Sequence, residues 1–277
     1  MGLRIVTDSS CDLPQDIVET LDITVVPCNV HFGADVYRDG VDIRAEEFYD
    51  RLATGSVHPT TSQPAVGDIV ETYQKVGKEA DEVLSLHISS KLSVTFHSAE
   101  LARDEIKGGP RIEVADSLQV SLGLGLMVME VARIAKDGGS LEEAMAFLNA
   151  EKADFTSYCS VDTLEYLVRG GRASRFQGFF GSLLDIKPVI QVRDGETHPV
   201  DRVRTRKRAL QRLAAVVAAG SDVKALGIVH SVCPEEAEAL AAACADYFPR
   251  DKMSVAQFSA VMGVHLGPRA IGIGLWA

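Results

Sequence analysis

The 277 residues are 46% hydrophobic and 24% charged, with a formal net charge of −11, which is the composition of a globular chain with a sizeable core and not of a disordered one. No apolar run reaches the roughly 18 residues of a membrane span, and residues 1–8 read as a short strand running into polar residues instead of a signal peptide, so a cytoplasmic protein that is not integral to a membrane is expected. Five scattered cysteines without a C-x-x-C pair and seven histidines without ligand spacing argue against a disulfide framework and a metal site, and the acidic balance argues against a nucleic-acid-binding surface.

Taken in chain order, one unit recurs: a short apolar strand, a hydroxyl-bearing loop, then a helix. A strand at 3–7 runs into Asp8-Ser9-Ser10-Cys11-Asp12 and a helix at 15–21. A strand at 83–88 runs into Ser89-Ser90-Lys91-Leu92-Ser93 and a helix at 95–106. A strand at 112–115 meets Asp116-Ser117 and a long apolar helix that stops at Asp137-Gly138-Gly139. Between the first two units, His58 to Pro64 forms a second hydroxyl cluster, read as a turn before a helix starting at Val66 or as part of a site. Alternating β and α at this spacing predicts a parallel sheet.

From about residue 155 the pattern changes. A strand at 156–161 and a short helix ended by Gly170-Gly171 precede an apolar stretch of helical spacing at 176–184. Strands at 188–192 and 197–203 flank Arg193-Asp194-Gly195-Glu196, a D-G hairpin signal. An amphipathic helix at 206–219, a further β/α unit from 225, and closing strands at 253–261 and 271–275 complete the chain. The expected architecture is α/β in two domains. Residues 1–155 build a mostly parallel three-layer domain, and residues 156–277 build a mixed-sheet domain.

Ligands of open parallel sheets bind beyond the carboxyl ends of the strands. At three such ends this sequence places hydroxyls ahead of helix N-termini, which suits either a helix cap or a small anion such as a carboxylate. His265, in the glycine-rich stretch 263–268, is either structural or a binding residue. There is no phosphate-binding loop, dinucleotide fingerprint, nucleophile elbow or zinc-protease motif. The one enzymatic alternative is a stand-alone phosphotransferase or hydrolase built on Asp8 or Ser93. A basic island also stands out. Residues 169–212 hold eleven Lys/Arg against four Asp/Glu, a local charge of +7 in an acidic chain, which fits either a solvated helix edge or a face that meets an anionic partner.

Several of these stretches, in this order, resemble the DegV family: Val6-Thr7-Asp8-Ser9-Ser10-Cys11-Asp12-Leu13-Pro14, Thr60-Thr61-Ser62-Gln63-Pro64, Ile88-Ser89-Ser90-Lys91-Leu92-Ser93, Leu164-Glu165-Tyr166-Leu167 with Gly170-Gly171-Arg172, Ile186-Lys187-Pro188, Val203-Arg204-Thr205-Arg206 and His265-Leu266-Gly267-Pro268. The resemblance implies a bacterial, DegV-like lipid-binding protein that holds a fatty acid of about 16 or 18 carbons at the junction of two domains. It implies no cofactor and no catalytic residue of its own. It further implies a separate fatty-acid kinase, which would convert the bound acid to acyl-phosphate for phospholipid synthesis. Carried over by position, Thr61, Ser93 and His265 would bind the carboxyl group. Arg172, Arg202, Arg204 and Arg206 would face the kinase. Phe176, Phe179, Phe180 and Leu183 are candidates to line the tail or to form plain core. Departures from the family pattern are Val94 where glycine is usual, Phe96 where tyrosine is usual, and Arg269, a cation free either to meet the carboxylate or to face solvent.

Overall fold

The computed structural model describes residues 2–173, 176 and 186–277. The first part of the chain runs β1 (Gly2–Asp8), α1 (Gln15–Thr20), β2 (Ile23–Val26), β3 (Asn29–Phe32), β4 (Asp35–Arg38), α2 (Ala45–Thr54), β5 (Thr60–Ser62), α3 (Val66–Val76), β6 (Ala80–His87), α4 (Thr95–Glu105), β7 (Arg111–Asp116), α5 (Leu122–Lys136) and α6 (Leu141–Glu151). The second part runs β8 (Phe155–Ser160), α7 (Glu165–Arg169), β9 (Lys187–Arg193), β10 (Glu196–Val203), α8 (Arg206–Ala219), β11 (Ala225–His230), α9 (Pro234–Cys244), β12 (Ser254–Gln257), α10 (Ala260–Leu266) and β13 (Ile271–Trp276).

Three sheets result. β2-β1-β6-β7 is a parallel sheet, β4-β3-β5 is a small antiparallel one, and β10-β9-β8-β13-β11-β12 is mixed. In the mixed sheet only β11 and β12 run parallel. The alternation along the parallel strands shows why this sheet is covered on both faces. Leu3 and Ile5 of β1, with Leu84 and Leu86 of β6, pack toward α5 and α6. Val6 and Val83 point the other way, onto Ile69, Tyr73, Ala99 and Ala102 of α3 and α4. This is the three-layer arrangement that the β/α spacing predicts.

Helix α5 carries buried side chains on every face from Leu122 to Met129, the mark of a helix enclosed on all sides. It packs against β1 of the parallel sheet and against β8, β11 and β13 of the mixed one. The mixed sheet turns its other face to α8 and α9, where Leu213, Val217, Leu240 and Ala241 meet Ile228, Ile271 and Ile273. The β9–β10 hairpin closes as its sequence requires, with Asp194 and Gly195 both at positive φ, 52° and 78°.

Three expectations change. The strand expected over 253–261 stops at Gln257, and the chain then turns into α10. The cause is tertiary: Asp12 and Asp39, more than 200 residues earlier, accept hydrogen bonds from the N–H groups of Ser259 and Ala260 and so start a helix that the local sequence does not cap. His265 consequently sits in the last turn of α10 and not in a glycine-rich turn. Residues 60–62 form a strand instead of a turn, because β3 offers them an antiparallel edge, with Val30 opposite Thr61.

Candidate functional site

A cavity of about 290 Å³ lies between the carboxyl ends of the parallel strands and the inner face of the mixed sheet, close to the lower end of the range for small-molecule sites. Most of its wall is apolar. Ile88 and Val120 come from the first sheet's loops, Ile190, Val192 and Val229 from the second sheet, and Val261, Met262 and Leu266 from α10.

One region of the wall is polar. Thr61 arrives on β5, His265 on α10, Ser93 in the loop after β6, and Arg172 after α7. Thr61 Oγ1 and His265 Nε2 lie 2.9 Å apart. Burial, followed by the nearby charges of Arg172 and His58, pushes the His265 imidazole down to about 3, so the ring is neutral near pH 7. Among the described residues its Nδ1 is buried without a hydrogen bond, and a Cβ on Gly170 would overlap it, so glycine at 170 is what lets the ring fit. In protein interiors an orphaned N–H is rarer than an under-satisfied acceptor. The proton therefore belongs on Nε2, where it is donated to Thr61 Oγ1 and leaves the threonine O–H to donate into the cavity.

Ser93 is held by the loop's own turn, with Ser93 N donating to Ser89 O at 3.0 Å. Its Oγ accepts from Thr95 N at 3.2 Å and pairs with Thr95 Oγ1 at 2.9 Å. The loop is pinned across the cavity to the β9–β10 hairpin. Ser89 Oγ donates to Gly195 O and Lys91 Nζ donates to Asp194 O, each at 2.8 Å. Arg172 Nε donates to Leu92 O at 3.2 Å and Nη1 to Gly170 O at 2.6 Å. Among the described residues no carboxylate pairs with this guanidinium, and burial holds it below its ordinary pKa. This part of the cavity thus presents hydroxyl donors, a neutral imidazole and a half-buried guanidinium that no described carboxylate neutralises, a set suited to a carboxylate.

A family model described as "Uncharacterised protein, DegV family" matches residues 2–277. The chain belongs to the DegV family. Its fold superposes on that of other DegV proteins over nearly the whole length. A DegV family protein from Thermus thermophilus, described as fatty-acid-binding, is 37% identical with a TM-score of 0.91, covering 100% of both chains. DegV from Bacillus subtilis, described as a fatty acid binding protein, is 32% identical with a TM-score of 0.90, covering 100% of both chains. A protein from Eubacterium ventriosum, described as stearic-acid-binding, is 28% identical with a TM-score of 0.87, covering 99% of this chain and 97% of its own.

The structure brings Thr61, Ser93 and His265 to one cavity and adds Arg172, which the family resemblance put on the outside. The other arginines of the basic island have different surroundings. Arg206 is mostly buried and bonds Glu236 at 2.6 Å. Arg202 and Arg204 are exposed, and Arg204 has no ion pair among the described residues. Arg269 is not part of the cavity wall; it pairs with Glu236 at 2.8 Å and Asp162 at 3.5 Å. Phe176 is fully buried in the core and does not line the cavity, while Phe179, Phe180 and Leu183 lie outside the described residues. Cavity-wall residues that sequence reading missed include Cys28, in the loop before β3, and Ser157, Cys159, Ile190 and Val192 on β8 and β9 of the mixed sheet, where strand alternation is the only local signal.

Asp8 cannot serve as a nucleophile. It is fully buried, and its two oxygens accept from Ser10, from His87 Nδ1 at 2.9 Å and from Ile88 N at 3.1 Å. Burial alone would raise its pKa, but these hydrogen bonds outweigh it and hold the carboxyl below its usual range. His87 passes the network on to Ser85 and Tyr73, a closed polar chain inside the sheet. Among the described residues no helix is long and apolar enough to cross a membrane, and no group of three or more His, Cys, Asp or Glu could hold a metal.

Proposed function

We propose that this chain holds one long-chain fatty acid, with the carboxylate between Thr61, Ser93 and Arg172 and the tail in the apolar cavity. The observation that carries the reading is the cavity itself, apolar along most of its wall, with Thr61, Ser93, His265 and the half-buried cation Arg172 meeting in one part of it. The fatty acids bound by the Thermus, Bacillus and Eubacterium relatives support it. The tail supplies most of the affinity. At ~0.8 kcal/mol per buried methylene, a chain of about 14 methylenes contributes roughly 11 kcal/mol before ordering costs. The head group fixes direction. His265 donates to Thr61, Thr61 donates to the carboxylate, and Arg172 supplies the charge that keeps the acid ionised in a half-buried place.

The chain then acts as a carrier that presents the carboxylate to a separate fatty-acid kinase, with residues 1–155 contributing the hydroxyl loops and residues 156–277 most of the tail wall. Exposed Arg202 and Arg204 beside the cavity-forming hairpin support a docking face of positive charge on an otherwise acidic protein. A stand-alone enzyme is the weaker reading. Asp8 is walled in, and among the described residues no imidazole or carboxylate bonds Ser93 to activate it. Calorimetric titration of the delipidated protein with palmitate tests the proposal. It predicts one equivalent bound with a negative heat-capacity change from apolar burial; no heat of binding with palmitate or oleate contradicts it.

A further inference from the structure

We infer that Asp12 and Asp39 are positioning residues for the head-group site, acting through α10 to set His265 against Thr61. The inference rests on the fatty-acid reading of the cavity and deepens it. Four residues of α10, namely Val261, Met262, His265 and Leu266, wall the cavity. Its own sequence does not fix where it starts. Ser259, in the cap position, makes no side-chain cap bond; its hydroxyl is buried beside the Asp12 and Asp39 carboxyls. The fixing bonds come from the far end of the chain. Asp12 Oδ1 accepts from Ser259 N at 2.9 Å and Asp39 Oδ1 from Ala260 N at 3.1 Å.

The Asp12 side chain and the Asp39 backbone are themselves anchored. Asp12 accepts from Ser121 Oγ, at the start of α5, at 2.5 Å. Asp39 N donates to Cys28 O at 2.8 Å, and Cys28 leads into β3, the strand that carries Thr61 as its partner. Both halves of the Thr61–His265 pair therefore hang from the Asp39 region: β3 and β5 on one side, α10 on the other. The backbone hydrogen bond just before α10, Phe258 N to His230 O at 2.9 Å, ties the chain to β11 and not to the strands that carry Thr61. A Cβ on Gly263 would come within 2.5 Å of the Phe48 ring and 2.9 Å of Tyr49 Oη, so the helix lies close against α2, but such packing sets its distance more firmly than its position along the axis. His265 is five residues, about 7.5 Å, beyond Ala260 at the helical rise. A helix passes on a displacement of its start, and about 1 Å of slip would stretch the 2.9 Å Thr61–His265 bond beyond hydrogen-bonding range.

The arrangement is costly for a mere cap. Both side chains are buried, with Asp12 at 5% and Asp39 at 4% exposure, and no Lys, Arg or His among the described residues pairs with either. Burial pushes Asp12 up to about 7 and Asp39 to about 6. A local serine or asparagine cap would start a seven-residue helix without burying two acids. What the distant carboxylates add is a fixed relation between α10 and the strands that carry Thr61.

Palmitate labelled with carbon-13 at its carboxyl and at its terminal methyl tests this by NMR, with His265→Ala as the reference for a lost head-group network. In Asp12→Ala and Asp39→Ala the bound carboxyl resonance should move toward its His265→Ala position while the methyl resonance stays in place. Palmitate should leave about tenfold faster, the effect of losing one hydrogen-bonding link. Asp12→Asn and Asp39→Asn keep an oxygen to accept the N–H and should restore both readings. Should the alanine variants not fold, Ser259→Pro removes the N–H that Asp12 accepts, together with the serine hydroxyl, at a φ of −57° that proline can adopt; it should give the same carboxyl shift. A carboxyl resonance at its wild-type position in these variants, or methyl and carboxyl shifting together as in general loosening, overturns the inference. Wild-type protein that takes up no palmitate overturns the fatty-acid reading beneath it instead.

Discussion

Replacing Thr61 with valine tests the head-group network by the smallest change of shape. Valine is β-branched, like threonine, and suits strand β5, so what is lost is the hydroxyl. In the ligand-free protein His265 Nε2 then joins Nδ1 as a buried nitrogen without a partner among the described residues, which costs about 1–3 kcal/mol of stability. In the loaded protein a hydrogen bond to a carboxylate disappears as well, a further ~1.5–3 kcal/mol, or a weakening of palmitate binding of roughly 10- to 150-fold. Denaturant unfolding of the delipidated protein reads the first effect and calorimetric titration the second. Thr61→Ser should recover most of both. Because the tail wall is untouched, the loss in binding free energy should be the same for acids of about 14, 16 and 18 carbons. A Thr61→Val protein that binds palmitate within threefold of wild type, or whose loss grows with chain length, would refute the network.

Arg172→Met removes a half-buried cavity-wall cation that pairs with no carboxylate among the described residues. Palmitate binding at pH 8 should weaken about 30-fold, the lower end of the cost of stripping a half-buried charge of its partner, and should recover as the pH falls and the acid binds protonated; equal affinity for both proteins at pH 8 would remove Arg172 from the head-group site. The raised pKa values of Asp12, about 7, and Asp39, about 6, mean that the folded state holds protons that the unfolded state has released. Their stabilising contribution is complete below about pH 4, the unfolded aspartate value, and is lost as pH rises through 6 to 7. The Asp12→Asn, Asp39→Asn double variant should therefore show a flatter melting temperature between pH 5 and 8, and a wild type that gains stability relative to it over that range contradicts the assignment. Arg204→Ala should leave bound lipid unchanged while slowing acyl-phosphate formation by the cognate kinase, with the difference shrinking at high salt; full kinase turnover at low salt would clear Arg204 of a docking role.

Much of the architecture can be read locally. Leu3, Ile5 and Val6, the D-G pair at Asp194-Gly195, and the apolar run of α5 each carry a pattern whose period or turn chemistry points to one structure, and those elements form where the pattern places them. The misread segments are those decided by distant parts of the chain. Residues 60–62 are too short a run, between His58-Pro59 and Gln63-Pro64, to signal a strand despite two β-branched threonines, and become β5 because β3 is beside them. Residues 260–266 become a helix because two aspartates from the first 40 residues bind its start.

The site divides in the same way. Thr61, Ser93 and His265 stand in motifs that mark them in the sequence, whereas Arg172 sits in one such motif yet points inward, a direction set by Leu92 O and Gly170 O and not by its neighbours in sequence. The tail wall is the least legible part. It is assembled one residue at a time from the mixed sheet, α10 and the loops of the parallel sheet, and a valine or isoleucine there looks like any other core residue until the sheets are stacked.

Mass spectrometry of an organic extract, made from protein purified under native conditions without added lipid, tests the central claim most directly. The account predicts about one equivalent of a fatty acid of roughly 16 to 18 carbons per chain, the length of tail whose methylenes supply most of the affinity. An extract free of fatty acid, from protein that also fails to take up palmitate or oleate afterwards, would contradict it.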